Sequence, residues 1–184
     1  MEASLLVLAG GQSGKAWLPT GNTILLRYVA ERLAPAFSEV MASFAAPEQL
    51  EEPVPYRIVF DRKQSGGPLA GLEAGLAAAR HEVVFAVGCD MPYVTRGTAE
   101  LAVAAARSCD AALPRAGASV VCGAYRRTAL PVVAAAVNAG SFSPTELAER
   151  LDVTWLEDLD AYQFATLRTA DDLERFNAAL LSQP

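Results

Sequence analysis

Short apolar segments alternate with helical segments along this chain, and this alternation restricts the possible folds more than any other feature. "SLLVLA" (4–9), "EVMASFA" (39–45), "YRIVF" (56–60) and "EVVFAVG" (82–88) have the length and apolar content of buried strands. Helical spacing of apolar residues follows the first strand, over 23–33. Strands that alternate with helices form a mostly parallel sheet with helices on both faces. The sequence therefore predicts an α/β fold.

The same pattern continues to the end of the chain. A helix predicted over 68–80 begins with Pro68, whose missing N–H costs nothing in a first helical turn. Further predicted elements are a helix over 97–108, strands over 110–114 and 119–125, and helices that open at the capping boxes Ser143–Glu146 and Thr169–Asp172. The sequence contains no internal repeat, low-complexity tract or linker, so we expect one domain over 1–184.

Composition excludes several classes of function. The net charge of −6 argues against a general nucleic-acid binder. No apolar run reaches the length of a membrane span, and no basic start typical of a secretory signal precedes the first strand. Cys89, Cys109 and Cys122 lack metal-ligand spacing and fit reduced thiols. We therefore expect a cytoplasmic protein that binds neither membranes nor nucleic acid.

Three loops follow the predicted strands, at the ends where parallel sheets bind ligands. In the first, Gly10 and Gly11 allow backbone N–H groups to approach a ligand, and Lys15 could neutralise phosphate oxygens. Neither the Walker A spacing nor the Rossmann glycine pattern is present. The alternative is a tight strand-to-helix turn that carries a solvated lysine.

The other two loops carry carboxylates. Asp90 follows an apolar strand and is suited to Mg²⁺, with turn capping as the alternative. Asp61 ends another strand, and the helix that opens at Gly67 and Pro68 could hold an anion or a base edge with its N–H groups, unless these residues only form a turn. Because His81 is the only histidine, most Ser/His and Cys/His mechanisms are excluded, and we interpret Cys89 as a small buried residue.

These loops together resemble a known family. "LAGGQS", a lysine before "LPTGNTILL", "DRKQSGGPLAGL" and "CDMPY" occur in this order in the molybdenum cofactor guanylyltransferases, which belong to the MobA-like nucleotidyltransferases. "GAYRR" (123–127) and "LRTADDLERF" (167–176) extend the resemblance over essentially the whole chain. "LAGG" combined with "GPLAG" favours the guanylyl members over their cytidylyl relatives. The resemblance implies a three-layer Rossmann-like nucleotidyltransferase fold.

The resemblance also implies a reaction and a set of site residues. The reaction is Mg²⁺-dependent transfer of GMP from GTP to the terminal phosphate of molybdopterin with release of pyrophosphate, and a molybdoenzyme apoprotein would be a further partner. Lys15 and Asp90 would be catalytic, with Asp90 as the metal ligand. The nucleotide-binding residues would be Leu8, Ala9, Gly10, Gly11, Lys15, Ser43, Asp61, Gly67, Pro68, Gly71 and Asp90.

The chain departs from the family at three places. Its first loop is shorter, so an arginine and an aspartate of the family have no counterpart, and Ser43 stands where the family has asparagine. Thr166 and Arg168 replace asparagines of the late motif. The alternatives are therefore a molybdenum cofactor cytidylyltransferase and a non-catalytic nucleotide-binding homologue with a degenerate first loop.

Arg126 and Arg127 are adjacent cations after a predicted strand of an acidic chain. They are our candidates for binding the pterin phosphate, with a solvated strand end as the alternative.

Overall fold

The computed structural model describes residues 1–11, 14–63, 66–116, 122–140 and 144–182, and a seven-stranded sheet forms its centre. The strands of the chain, two of which form a separate small ribbon, are β1 (Ser4–Leu8), β2 (Pro19–Thr20), β3 (Thr23–Ile24), β4 (Glu39–Phe44), β5 (Arg57–Phe60), β6 (Val83–Gly88), β7 (Ala111–Pro114), β8 (Cys122–Arg126) and β9 (Val153–Leu156). The order in the sheet is β5-β4-β1-β6-β8-β7-β9, and β2 and β3 form the two-stranded ribbon.

Six α-helices accompany these strands within the described ranges. They are α1 (Leu25–Leu33), α2 (Gly67–Ala78), α3 (Arg96–Ala105), α4 (Leu130–Ala139), α5 (Pro144–Glu149) and α6 (Ala170–Leu181). The predicted capping box at α6 is confirmed, because the Thr169 and Asp172 side chains accept each other's backbone N–H groups. None of the helices described here is long and apolar enough to cross a membrane.

The sheet is mostly parallel, as predicted. β1 pairs in parallel with β4 and β6, β4 with β5, and β7 with β9. Strand β8 is the exception, since it runs antiparallel to both β6 and β7. The carboxyl ends of β1, β4, β5 and β6 therefore meet at one edge of the sheet, which we call the upper edge.

Side chains of the central strand alternate between two cores. Leu5 and Val7 of β1 pack in one cluster with Leu26 of α1. Leu6 and Leu8 pack on the other face with residues of α2 and α4. Because successive strand residues point to opposite faces, a strand such as β1, which is buried on both faces, requires helices on both sides. The predicted three-layer architecture is confirmed.

Helix α2 lies unusually close to the sheet because glycines face it. A Cβ atom on Gly75 would lie 2.2 Å from Cδ2 of Leu6, and one on Gly71 would lie 2.6 Å from Oγ of Ser43. Both positions require the absence of a side chain, and the close contact brings the start of α2 against the ends of β1 and β4.

Some predicted boundaries were wrong. The helix expected from Thr23 begins at Leu25, because Thr23 and Ile24 pair with β2 and the N–H of Leu25 donates to the Leu18 carbonyl. Helix α4 and strand β9 were not predicted. Ser143 and the first residues of the strand expected over 119–125 lie outside the described residues.

Replacement of Gly75 tests the close packing of α2. Gly75→Ala should destabilise the fold by about 1–3 kcal/mol, because the added methyl group meets the fully buried Leu6 side chain. Gly97→Ala in α3 is the matched control, since its Cβ would meet only Oγ of Thr95, at 4.0 Å. That variant should gain about 0.5 kcal/mol. Urea unfolding measures both changes, and equal effects at the two sites would contradict the packing argument.

Candidate functional site

The loops that follow β1, β4 and β6 leave the sheet side by side, because β1 lies between its two parallel neighbours β4 and β6. The Ala9 N–H donates to the Ser43 carbonyl at 2.9 Å, and the Cys89 N–H donates to the Leu8 carbonyl at 3.0 Å. The chain builds the sheet outward from β1 through β4 to β5 and then returns to place β6 on the other side of β1. Open α/β sheets bind ligands at this reversal of strand order.

Lys15 and Asp90 form an ion pair at this reversal point. The ammonium Nζ of Lys15 donates to Oδ2 of Asp90 at 2.9 Å. Gly14 precedes Lys15 with φ of +62°, a left-handed conformation that favours glycine and turns the chain toward β6. The two side chains are 26% and 25% exposed, so an incoming anion or cation can reach either partner.

Backbone contacts fix the first loop. A Cβ atom on Gly10 would lie 2.8 Å from the backbone nitrogen of Ala45, so the residue must be glycine. The Gln49 side chain accepts from Ala45 N–H at 2.8 Å and donates to the Gly10 carbonyl at 3.4 Å. The backbone carbonyl of Gln49 accepts from Nε1 of Trp17 at 2.8 Å. Gln49 could not be identified from the sequence, because none of these contacts follows from a local pattern.

The loop that follows β5 holds a carboxylate in an unusual environment. Among the described residues, Oδ1 of Asp61 is buried without a hydrogen-bond partner. Burial, together with the nearby Glu73 carboxylate, raises the pKa of Asp61 to about 7. Glu73 is itself buried in α2, with the Arg62 guanidinium 3.9 Å away. An acceptor oxygen without a donor is a candidate contact for a ligand.

The start of α2 lies beside Asp61. Gly67 has φ of +57° and Pro68 occupies the first turn, so the helix begins sharply after the loop. Among the described residues, no side chain caps this terminus, so its first N–H groups are candidate donors to an anion or a polar base edge. Gly71, one turn later, contacts Ser43 and Leu8 closely.

Asp61 and Asp90 lie too far apart to share a metal ion. They follow β5 and β6, which are three strand positions apart, or roughly 14 Å at the usual strand spacing. Within the described ranges, no group of three His, Cys, Asp or Glu side chains could hold a metal. The partly exposed Asp90 carboxylate therefore fits Mg²⁺ best in the mode where substrate phosphates supply further oxygen ligands, and on its own it would hold a divalent ion only weakly.

Cys89 and His81 have no place in the chemistry of this site. Burial raises the pKa of the Cys89 thiol to about 12, with Asp90 as a second cause, so the thiolate is not available as a nucleophile. This confirms the interpretation of Cys89 as a small buried residue. His81 precedes β6 and therefore lies at the edge of the sheet opposite to the upper edge, which we call the lower edge.

The late motif contacts the Asp90 loop. The Leu167 N–H donates to the Asp90 carbonyl at 2.9 Å. Thr166 and Arg168 flank this contact, and Nε of Arg168 donates to Oγ1 of Thr166 at 3.1 Å. The resemblance to the family covers this segment, but no sequence pattern indicates its contact with Asp90.

The prediction for Arg126 and Arg127 was wrong in its position. Because β8 runs antiparallel to β6, Arg126 lies opposite Val83, the first residue of β6, at the lower edge. Arg126 pairs there with Glu82 through two nitrogens, and the Arg127 N–H donates to the Glu82 carbonyl at 2.8 Å. A pterin phosphate bound at these residues could not reach Lys15 or Asp90 on the upper edge.

The structure brings the remaining predicted residues to the upper edge. These are Leu8, Ala9, Gly10, Gly11, Lys15, Ser43, Asp61, Gly67, Pro68, Gly71 and Asp90. Their roles in binding and catalysis stay predictions.

An α/β sheet with a glycine-rich first loop at the reversal of its strand order is the arrangement of the doubly wound folds, which bind ligands at that point. The sequence profile of the MobA-like NTP transferase domain matches residues 5–153. The chain therefore belongs to the family of MobA-like NTP transferase domains and is a nucleotidyltransferase.

Relatives and solved structures are similar over nearly the whole chain. A probable molybdenum cofactor guanylyltransferase of Peptoclostridium acidaminophilum is 26% identical, over 95% of this chain and 88% of its own. One of Methanosarcina mazei is 29% identical, over 93% and 88%. The structure of molybdopterin-guanine dinucleotide biosynthesis protein A from Archaeoglobus fulgidus superposes with a TM-score of 0.83 at 21% identity, covering 98% of this chain and all of that one. This last likeness establishes the fold.

Asp61→Asn should remove a pH-dependent loss of stability. The pKa of Asp61 is about 7 in the folded chain, against 3.8 for an unperturbed aspartate, so its ionisation destabilises the fold as pH rises between these values. We expect the variant to gain about 2–4 °C in Tm over the wild type at pH 8, and little at pH 4.

Thermal unfolding of both proteins from pH 4 to pH 8 measures this difference. Glu73→Gln is the companion variant, because removal of its charge lowers the pKa of Asp61 and moves the transition to lower pH. A difference between Asp61→Asn and wild type that does not change with pH would contradict the assignment.

Proposed function

We propose that this protein transfers GMP from GTP to the terminal phosphate of molybdopterin and releases pyrophosphate. The observation that carries the proposal is the Lys15–Asp90 pair, which places one cation and one carboxylate at the reversal point of the sheet. The relatives named above support the choice of substrates, since they are called molybdenum cofactor guanylyltransferases.

Nucleotidyl transfer needs positioning and charge neutralisation more than it needs a protein nucleophile. This requirement suits a site in which Cys89 is buried and protonated and His81 lies at the other edge. Lys15 would bind the phosphates of GTP through its compact ammonium group. When the phosphates pair with the Lys15 ammonium group, the Asp90 carboxylate would no longer have its counter-ion.

Asp90 would then hold Mg²⁺ together with the phosphates. Bound there, the ion would neutralise charge that develops on the phosphate oxygens. The residues present fit this role, because Oδ2 of Asp90 already accepts from a cation and is partly open to solvent.

The base would bind between the first loop and the start of α2. Guanine carries N–H donors on its pairing edge, and the free Oδ1 of Asp61 is an acceptor on this side of the site. The N–H groups at the start of α2, which no described side chain caps, would provide donors for the nucleoside. A site built from fixed polar groups discriminates against the base that leaves them unpaired, so GTP should be preferred over CTP. A molybdoenzyme apoprotein as partner and a cytoplasmic location belong to the same proposal.

Nucleotide binding and turnover test the function. We expect GTP with Mg²⁺ to bind at least about tenfold more tightly than CTP, and to release pyrophosphate only when molybdopterin is present. Calorimetry measures the first quantity and a pyrophosphate assay the second. Preference for CTP would make the protein a cytidylyltransferase, and nucleotide binding without pyrophosphate release would make it a non-catalytic homologue.

Removal of Lys15 should affect two ligands in opposite directions. Lys15→Met should weaken GTP about 10- to 100-fold and GMP much less, because the lost charge faces phosphates that GMP lacks. The same variant should bind Mn²⁺ alone more tightly, because Asp90 no longer has an internal counter-ion. Calorimetry measures the nucleotides, and the electron paramagnetic resonance signal of free Mn²⁺ measures the metal.

Two further variants serve as controls for Lys15→Met. Arg32→Met removes an exposed cation of α1 and should change neither ligand. Asp90→Asn should abolish Mn²⁺ binding and lower turnover by orders of magnitude while the fold persists. Equal losses of GTP and GMP with Lys15→Met would leave Lys15 as a surface residue of a turn.

A further inference from the structure

Asn177 of α6 joins the end of the chain to the segment that carries Lys15. Its Nδ2 donates to the Pro19 carbonyl at 3.0 Å, and its Oδ1 accepts from the Gly21 N–H at 3.2 Å. The two bonds enclose Thr20, whose side chain is fully buried. One amide therefore fixes both ends of β2, four residues after Lys15.

The same part of the chain also contacts the Asp90 side. Phe176 packs edge-on against Tyr93 at 5.3 Å and against Tyr28 at 5.2 Å between ring centres. Tyr93 follows Asp90 by three residues, and the Leu167 N–H donates to the Asp90 carbonyl. A small apolar cluster that contains Leu25, Leu167 and Phe176 connects these contacts.

Residues 167–177 thus contact both the ribbon β2–β3, which follows Lys15, and the Asp90 loop, and these contacts are independent of each other. These contacts hold the ribbon β2–β3 and the Asp90 loop at one separation, and Lys15 precedes this ribbon by four residues. We propose that Asn177 is a positioning residue that holds Lys15 against Asp90. It acts through the Lys15 segment and does not touch the nucleotide. This inference rests on the proposed function for its GTP readout, but not for its metal readout.

Asn177 lies beyond residues 5–153, the part matched by the family's sequence profile. Its interaction partners are backbone groups of Pro19 and Gly21, so the side chains of those residues give no sign of the contact. Gly21 has φ of +56° and turns the chain from β2 to β3, which aims its N–H at α6.

A double-mutant cycle with Lys15 tests the proposal. Asn177→Leu keeps the approximate volume and removes both hydrogen bonds. We expect it to weaken GTP about tenfold, to leave GMP within about twofold, and to have little further effect when Lys15→Met is already present, because residues that act through one group are not additive. Asn177→Asp, which keeps the acceptor for Gly21 N–H, should recover part of the loss. Asn138→Leu, on the exposed side of α4, is the matched control and should leave both affinities unchanged.

A metal readout separates failure of this proposal from failure of the proposed function. Asn177→Leu should bind Mn²⁺ alone more tightly than wild type, since Lys15 no longer neutralises Asp90 as effectively. Additive losses of GTP affinity in the cycle, or a lowered Tm with unchanged GTP and Mn²⁺ affinities, would overturn the positioning role. If wild type does not bind GTP, the proposed function fails and the Mn²⁺ comparison alone decides about Asn177.

Discussion

The hydrogen-bond ladder on both sides of β1 is the constraint on which the site depends. β1 is apolar on both faces and pairs in parallel register with β4 and β6. The ladder continues beyond the strand through the Ala9–Ser43 and Leu8–Cys89 bonds. The loops after β1, β4 and β6 must therefore leave the sheet side by side. Lys15 and Asp90, which are 75 residues apart in sequence, meet because of this geometry.

The partial burial of the Lys15–Asp90 pair matters for its chemistry. A fully exposed pair contributes little, because solvent and salt screen it. A fully buried pair is difficult to open, because each charge would be left without a partner in a low dielectric medium. With about a quarter of each side chain exposed, the pair is ordered in the free protein and accessible to ligands. An acidic chain with only two lysines can in this way keep a local cation beside a carboxylate.

Local sequence patterns predicted what depends on local physics. The apolar runs of β1 and β6 predicted these strands, and Pro68 and the Thr169–Asp172 capping box predicted where two helices begin. The predicted ends of the strands gave the positions of Asp61 and Asp90 in the loops. The contacts of Gln49 and Asn177 could not be predicted, because each joins segments that are distant in sequence through backbone groups. The raised pKa of Asp61 was equally hidden, since it depends on burial in the folded chain and on the Glu73 carboxylate of α2.

The direction of the strands explains why Arg126 and Arg127 lie at the lower edge of the sheet, away from Asp90. It also shows which arginine lies at the upper edge. β7 runs antiparallel to β8, so the chain arrives at the upper edge at the end of β7 and leaves it at the start of β8. A residue that follows β7 is therefore on the edge of Asp90, and one that follows β8 is on the opposite edge. Arg115 is the residue directly after β7, where it pairs with Glu157 at 3.1 Å and lies 4.4 Å from the ring of Trp155. An apolar strand of five residues has the same sequence pattern in either direction. Only its direction relative to β6 decides which of its ends carries residues toward the upper edge.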